Sequence, residues 1–263
     1  MKRITYYALT LAIFAFGQLT AQTASQDFDN AIASTGNIKN SVTVAKKAVG
    51  QLAKQLVILG NPDAQLFYDK MFAQVNIVQN NADDVDYFVS EAQNVTTIPF
   101  SSATVNAITT NLVSLNDELI GLTYEITEAI NDNNTTVAVN LLPQVNAVLE
   151  SQNTQSDNLI AELNALKQAT KTYNVCIELV DNFGNPVIAT DLFGYYAYVE
   201  STSTNIQTDT DGGSCFTGLT DGTYAFHAYN GYFSGASVET ITLSDALVNS
   251  DGVIVVKLVY WSE

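Results

Sequence analysis

The sequence predicts a chain of two parts, an antiparallel four-helix bundle followed by a small antiparallel β-sandwich. From residue 28 to about residue 170, apolar residues recur every three or four positions, which is the spacing of an amphipathic helix. From Tyr173 onward they alternate instead, and Gly, Asp and Asn residues interrupt them, as in strands joined by turns. The period changes near the segment KQATKTYN, so we expect a helical domain over residues 22–171 and a β-domain over residues 172–263.

Four apolar seams of similar length make up the helical half. Gly60 and Pro62 end the first seam, Pro99 follows the second, and the polar run NDNNTT separates the third from the fourth. Short connections make successive helices antiparallel, so an up-down-up-down bundle is the expected arrangement. The seams run from Phe28 to Leu59, from Ala64 to Ala92, from Val105 to Ala129 and from Ala138 to Leu166.

Two polar residues, Gln152 and Ser156, occupy core positions of the fourth seam. A buried polar group costs free energy unless it finds a hydrogen-bond partner. These residues therefore either fix the register of the helices or line a ligand pocket between them. A di-metal centre of the kind that some bundles hold is not expected, because no histidine lies in any of the four seams.

The charge of the chain disfavours nucleic acid as a partner. The formal net charge is −17, and Arg3 is the only arginine. A strongly negative field repels phosphate backbones, and the chain beyond Arg3 lacks the guanidinium group that binds phosphate in a bidentate way. The same field would repel anionic lipid.

The first 21 residues resemble a secretory signal. Lys2 and Arg3 precede an apolar run, and small residues follow it, so we expect cleavage after Ala21. The run is short for a transmembrane anchor. We therefore expect an exported protein, located outside the cell, on its surface or in the periplasm, and its mature chain would carry a formal charge of about −19.

The chain contains two cysteines, Cys176 and Cys215. In an exported protein an even number of cysteines predicts a disulfide. The alternative is a nucleophilic Cys215 activated by His227, the only histidine. Since the motifs supply no paired carboxylates, metal cluster or triad, we expect a non-enzymatic protein without cofactor or metal.

Three motifs of the second half follow one another in a recognisable order. They are YNVCIELVDNFGNPV, TDTDGGSCFTGL and DGTYAFHAYNGY. In this order they resemble the carboxypeptidase regulatory-like domain, a prealbumin-type β-sandwich related to the B-type repeats of collagen-binding adhesins. The matching positions are Gly213 to Phe216, Leu219 to Tyr224, and Gly231 with Tyr232. The resemblance covers about the last third of the chain and implies a fold rather than a chemistry.

Two Asp-Gly pairs, Asp211-Gly212 and Asp221-Gly222, predict turns of β-hairpins. A calcium site that uses Asp209 and Asp211 is the alternative. His227 alternates with Phe226 in a predicted strand, so we expect it to be structural and its replacement to leave binding unchanged.

Tyrosines are dense in the second half. The alternation in YYAY places Tyr196 opposite to Tyr195, and we predict an interaction surface formed by Tyr196, Tyr229 and Tyr232. The simpler alternative is a sandwich core with scattered surface tyrosines. The expected function is adhesion or extracellular assembly, with a protein or glycan at the cell surface as the partner. The bundle would be a spacer or an oligomerisation stalk, and a glycan- or small-ligand-binding module is the alternative.

Overall fold

The computed structural model describes residues 2–188, 194–199, 207–210, 214–230 and 234–262, with side chains from residue 24 onward except those of 207–210, 229 and 230. The chain divides into two compact units. Gln22–Ala169 form one unit, and the chain from Thr170 onward forms the other together with the N-terminal residues up to Ala21.

The first unit is helical. Its helices are α1 (Lys2–Lys54), which belongs to this unit from Gln22 onward, α2 (Ala64–Val95), α3 (Ala103–Asn131) and α4 (Thr135–Ala169). A π-helical turn, Gln55–Leu59, extends α1. The Asp63 carboxylate accepts a hydrogen bond from the Leu66 amide at 2.9 Å and thereby caps the start of α2. In the described part of the chain, no helix has the length and apolar content that a membrane crossing requires.

All four helices contribute to a core that is divided into two apolar clusters. Cluster 1 includes Val42 and Leu52 of α1, Phe67 and Met71 of α2, Leu119 and Ile126 of α3, and Leu142 and Leu149 of α4. Cluster 2 includes Phe28 and Ile38 of α1, Val78 and Val89 of α2, Val105 and Leu112 of α3, and Leu159 and Leu163 of α4. Along α1 and α3 the chain passes from cluster 2 to cluster 1, and along α2 and α4 it passes in the opposite order.

Surface ion pairs join α1 to α4. The pairs are Lys39 with Asp157, Lys46 with Glu150, and Asp29 with Lys167. Pairs this exposed contribute little to the free energy of unfolding, but they show that α1 and α4 are neighbours.

The second unit is built from strands. They are β1 (Thr172–Val180), β2 (Gly194–Val199), β3 (Gln207–Thr210), β4 (Cys215–Thr220), β5 (Thr223–Asn230), β6 (Ser234–Ala236), β7 (Glu239–Thr242) and β8 (Ile254–Ser262). They pair in the order β3-β2-β5-β6-β8-β1-β4, and β7 also pairs with β5. We call β8, β1 and β4 sheet A, and we call β3, β2, β5, β6 and β7 sheet B.

Sheet A differs from the predicted antiparallel arrangement. β1 is antiparallel to β4 but parallel to β8, with Val175 beside Ile254 and Leu179 beside Leu258. The sheet is therefore mixed. Both β1 and β8 alternate buried and more exposed residues, and their buried residues join Phe216 and Phe226 in one core. Alternation predicts which face of a strand is buried, but it does not predict the direction of the neighbouring strand.

The Asp221-Gly222 turn also differs from its prediction. It connects β4, which pairs with β1 in sheet A, to β5, which pairs with β2 in sheet B. The turn is therefore a corner between sheets rather than the tip of a hairpin. A backbone hydrogen bond of 2.9 Å from the Leu243 amide to the Gly222 carbonyl holds this corner in place. Asp211-Gly212 lies outside the described residues.

Candidate functional site

The pair Cys176 and Cys215 is joined as a disulfide. These residues are directly opposite each other on β1 and β4, with their Cα atoms 4.0 Å apart. Both side chains are half-buried, and on β1 Cys176 alternates with the core residues Val175 and Ile177. The predicted disulfide fits this arrangement. A thiol nucleophile at Cys215 is not present, because its sulfur is bonded to Cys176.

Three aromatic rings stack on one face of sheet B. Tyr196 of β2 lies directly opposite His227 of β5, and their ring centroids are 5.2 Å apart. The Tyr198 ring lies 4.8 Å from the His227 ring, with only 14° between the two planes. We call Tyr196, Tyr198 and His227 the ring face. All three side chains are half-buried.

The opposite face of the same strands belongs to the core. Ala197 and Phe226, which alternate with the ring-face residues, are fully buried, and Tyr195 packs against the same cluster. Burial raises the pKa of the Tyr195 hydroxyl above 10.0. The strand alternation thus separates Tyr195, which is part of the core, from Tyr196, which faces away from it.

A glycine allows the Tyr196 ring to lie close to the sheet. A Cβ atom added to Gly194 would be 2.7 Å from the Tyr196 hydroxyl oxygen, which is too close for two heavy atoms. Gly194 therefore provides the space that the Tyr196 side chain occupies. Since His227 contacts the same ring from the neighbouring strand, the position of Tyr196 is specified from two sides.

The His227 imidazole is neutral at pH 7. Burial lowers its pKa below the ordinary value of 6.5, since an imidazolium loses hydration inside the stack. At neutral pH the imidazole therefore adds no charge to the ring face, although the chain as a whole has a formal charge of −17.

Two residues of the predicted tyrosine surface cannot be placed on the ring face. Tyr229 lies on β5 with its Cα opposite Gly194, but its side chain is outside the described residues, and so is all of Tyr232. Asp209 lies on β3 with its Cα opposite Tyr196, and its side chain and Asp211 are likewise outside them. Among the described side chains, no group of three or more His, Cys, Asp or Glu is placed to hold a metal ion.

Sequence reasoning did not identify Tyr198 and His227 as members of this surface. The alternation in YYAY puts Tyr196 and Tyr198 on one face, and this signal was available in the sequence. The contribution of His227 depends on the register between β2 and β5, which are separated in the chain by more than twenty residues and by two other strands, β3 and β4. Alternation alone does not give that register.

The polar residues of the helical core form a chain of amides between the two clusters. Gln74 Nε2 donates to Gln152 Oε1 at 3.0 Å, and Gln152 Nε2 donates to Asn116 Oδ1 at 3.0 Å. Asn116 Nδ2 donates to the Val75 carbonyl at 3.1 Å. We call Gln74, Asn116 and Gln152 the amide layer; all three are buried.

The amide layer connects α2, α3 and α4 at one level of the bundle. Ser156 does not join it through its side chain, because its hydroxyl donates to the backbone carbonyl of Gln152 at 2.8 Å. Both atoms of the Gln152 amide are used by neighbouring helices. Of the two alternatives for Gln152, the geometry favours fixing the helix register over lining a ligand pocket.

The loop after β1 holds an exposed aromatic residue in a fixed conformation. One Asp181 carboxylate oxygen accepts from the amides of Phe183 at 2.8 Å and Asn185 at 2.9 Å, and the other accepts from Asn185 Nδ2 at 2.9 Å. Gly184 has a φ of 84°, which a glycine adopts without strain. Phe183, at the tip of the loop, is 90% exposed.

A comparison of the chain with protein-family models, with curated proteins and with solved structures finds no match. The resemblance of the second half to a carboxypeptidase regulatory-like domain therefore stays a prediction, as do the activity and the partners that it implies.

Proposed function

We propose that this protein acts outside the cytoplasm as a non-enzymatic interaction protein in adhesion or extracellular assembly. In this proposal the β-unit binds a cell-surface protein through the ring face. The disulfide between Cys176 and Cys215 supports a location in an oxidising compartment, where such bonds persist.

The observation that carries the proposal is the stacking of Tyr196, His227 and Tyr198 on the face of sheet B that is opposite to the core. Tyrosine rings combine a large apolar area with a hydroxyl group and lose little conformational entropy on binding. Rings that already contact one another lose still less. Such a surface is suited to a protein partner, and a glycan is the second candidate because sugars also pack on tyrosine rings.

We propose that the helical unit is an antiparallel up-down-up-down bundle that serves as the stalk. The alternating order of the two clusters along successive helices supports this arrangement. α4 has 35 residues, which corresponds to a length of about 50 Å at 1.5 Å per residue. A bundle of this length would hold a binding surface away from its point of attachment. For the β-unit we propose the carboxypeptidase regulatory-like sandwich, which the mixed curled sheet permits.

The test is capture of the partner from a cell-envelope extract with the immobilised full chain, followed by affinity measurement on variants. Replacing Tyr196 or Tyr198 by Ala should weaken binding by about 1 to 3 kcal/mol, as expected for an aromatic hot spot. His227→Ala should weaken it as well, because the imidazole positions both tyrosine rings. This expectation differs from that of the sequence analysis.

The matched control is Tyr87→Ala. Tyr87 is a tyrosine of the helical unit with 59% of its surface exposed, so its loss should leave the affinity unchanged. A glycan partner would be captured on a glycan array and would survive protease treatment of the extract. If all three ring-face variants bind the captured partner as tightly as the parent chain, the ring face is not the binding surface.

A further inference from the structure

Large apolar side chains are exposed at the end of the helical unit where α1 turns into α2. Val57 is 68% exposed, Ile58 70% and Leu59 55%, and Leu66 at the start of α2 is 43% exposed. Val137, in the first turn of α4, is 41% exposed. We call these five residues the apolar tip. A single exposed aliphatic residue is common on proteins, but a group of this size marks a contact surface.

The apolar tip belongs to one end of the bundle. Leu56 precedes it, and Phe67 and Ala138 follow Leu66 and Val137 directly along the chain; all three are buried in cluster 1. Each exposed residue is therefore adjacent to a core position at the same end. The apolar period of the first seam predicts that Leu59, its last residue, is in the core, and this prediction is wrong. The π-helical turn breaks the helical period there, so Leu59 faces solvent.

The turn that carries the tip has a defined conformation. Gly60 has a φ of 67°, and its amide donates to the Gln55 carbonyl at 2.9 Å. The Gln55 side chain accepts from the Asp63 amide at 3.2 Å, and Asp63 caps α2. Because these bonds hold the backbone, binding through Val57, Ile58 and Leu59 would require little ordering of the chain.

Charges of both signs surround the apolar tip. Lys54 and Lys70 lie one turn away along α1 and α2, the exposed Asp69 lies beside Lys70, and Asp63 and Asp132 lie in the two adjoining connections. Within the described part of the chain, neither lysine has a carboxylate within 4.0 Å. Both cations are therefore available to carboxylates of a partner.

This mixture of charges selects the partner. In a contact with a two-fold axis, residues of one copy meet different residues of the other, so the lysines of one tip can pair with the carboxylates of the second around the apolar centre. The formal net charge of −17 disfavours an anionic membrane as the partner. It also disfavours contact between two copies along their sides, where many carboxylates would approach one another. Contact through the ends keeps most of the acidic residues of the two copies far apart.

We propose that the apolar tip binds the apolar tip of a second copy of this chain, which joins two bundles end to end in a symmetric dimer. The proposal rests on the proposed role of the bundle as a stalk and names the surface through which that stalk assembles. The dimer contact does not involve the ring face, so the dimer proposal can be wrong while partner binding through the ring face is right, and the reverse.

The test is sedimentation velocity of the full chain, purified after any processing by the producing cell, at concentrations from about 1 to about 100 μM. The parent chain should form a dimer in this range. Ile58→Asp should raise the dissociation constant of the dimer at least tenfold, since it places two carboxylates at the centre of the contact. Ile58→Ser should act in the same direction without adding charge.

The matched control is Val44→Asp, which adds the same charge at an aliphatic residue of α1 that is 54% exposed. Val44 lies about 20 Å from Ile58 along the helix axis, so its variant should dimerise like the parent chain. Unchanged melting temperatures would show that all three variants fold.

A monomeric parent chain at the highest concentration overturns the proposal, and so does an Ile58→Asp variant that dimerises as tightly as the parent. Vesicles of phosphatidylcholine with phosphatidylglycerol test whether the apolar tip binds an anionic membrane instead of a second copy. A monomer that cosediments with these vesicles, and loses that binding in Ile58→Asp, would identify the tip as a membrane contact and overturn the dimer.

Discussion

Gln152 uses both atoms of its side-chain amide to join two neighbouring helices, and this makes it the central residue of the helical core. A buried amide without partners would lose its hydrogen bonds to water and gain nothing in return. Here Gln74 and Asn116 satisfy Gln152, although within the described residues Gln74 Oε1 itself has no hydrogen-bond partner. The layer is therefore nearly, but not fully, satisfied.

Replacing Gln152 by Leu should destabilise the helical unit. The change leaves Gln74 Nε2 and Asn116 Oδ1 buried without their partner, which costs about 1 to 3 kcal/mol for each group. The measurement is urea unfolding followed by the helical circular dichroism signal. The dependence of the free energy of unfolding on urea concentration should be the same in the variant and the parent chain, so that the midpoints can be compared.

The control for this prediction replaces Gln74, Asn116 and Gln152 together by Leu. With no orphaned amide left, the triple variant should regain stability, but its helices should pair less uniquely because the polar layer no longer fixes the register. If Gln152→Leu unfolds at the same urea concentration as the parent chain, the amide layer does not stabilise the bundle.

Asp181 should titrate below the ordinary carboxyl value. The Asn185 side chain contributes most to this shift, and the amides of Asn185, Phe183 and Gly184 add to it, so the pKa of Asp181 falls below 3.8. Its ionised form is the one that holds the loop. The loop should therefore keep its conformation above pH 3.8 and lose it only as the pH falls through the lowered pKa.

The measurement is the pH dependence of the amide chemical shifts of Phe183 and Asn185 by NMR. Both should follow one titration with a midpoint below 3.8. The Asp181→Asn variant is the control and should show no such titration. A midpoint at or above 3.8 would mean that the carboxylate does not organise the loop in solution.

At the scale of secondary-structure elements, periodicity predicts more about helices than about strands. The apolar period predicts nine core positions in α2, from Ala64 to Ala92, and seven of them are buried. Ala64 and Val75 are only half-buried, and Gln74 is buried in place of Val75. In α3, Asn116 is likewise buried beside the expected Leu115. The period predicts that a polar residue next to a seam position is exposed. Gln74 and Asn116 are buried instead because both bond to Gln152 of α4, and this contact between helices is not visible in the period of either helix.

The arrangement of the strands is harder to predict from the sequence, because strands that pair can be far apart along the chain. The sequence predicts β1 from its alternation and starts it at Tyr173, one residue after its observed start. The parallel pairing of β1 with β8 joins segments more than seventy residues apart, and no turn signal encodes it. Predicting the ring face also requires knowledge of a non-local pairing, namely the register between β2 and β5.

Stacking of His227 between two tyrosines should make the stability of the β-unit depend on pH. Because burial lowers the pKa of His227 in the folded state, the unfolded chain binds a proton more readily. The contribution of this residue is complete above the ordinary value of 6.5 and is lost as the pH falls below it towards the lowered pKa.

His227→Phe should remove this dependence and keep the stack. The melting temperature of the parent chain should fall relative to that of the variant between about pH 7.5 and about pH 5.5. Carboxylates titrate in both proteins, so the difference isolates the imidazole. Parallel curves for the two proteins over this range would contradict the neutral, buried state of His227.

At the scale of the whole molecule, the two units have separate cores, and only one of them contains cysteine. The change of period in the sequence near residues 167–174 predicts two folding units, and limited proteolysis at that segment tests this prediction. Each unit should also respond separately to a change that is confined to one of them.

Reduction of the disulfide should destabilise the β-unit alone. The bond closes a loop with a sequence separation of 39 residues, for which the chain-entropy estimate is about 4 kcal/mol. In the presence of dithiothreitol, the near-ultraviolet signal of the β-unit should melt at a lower temperature while the helical signal melts as before. A Cys176→Ala, Cys215→Ala double variant should reproduce this shift without reductant, and a simultaneous shift of both signals would show that the two units unfold as one.

The position of the disulfide also determines how the protein extends under mechanical tension. A force applied to the two ends of the chain passes from Cys176 to Cys215 through the covalent bond, so the intervening segment carries no load. That segment contains β2, β3 and the ring residues Tyr196 and Tyr198. A sequence separation of 39 residues corresponds to roughly 130 Å of fully extended chain, and this length is released only after reduction. While the disulfide is intact, tension on the two ends of the chain therefore does not extend β2, the strand that carries both tyrosines.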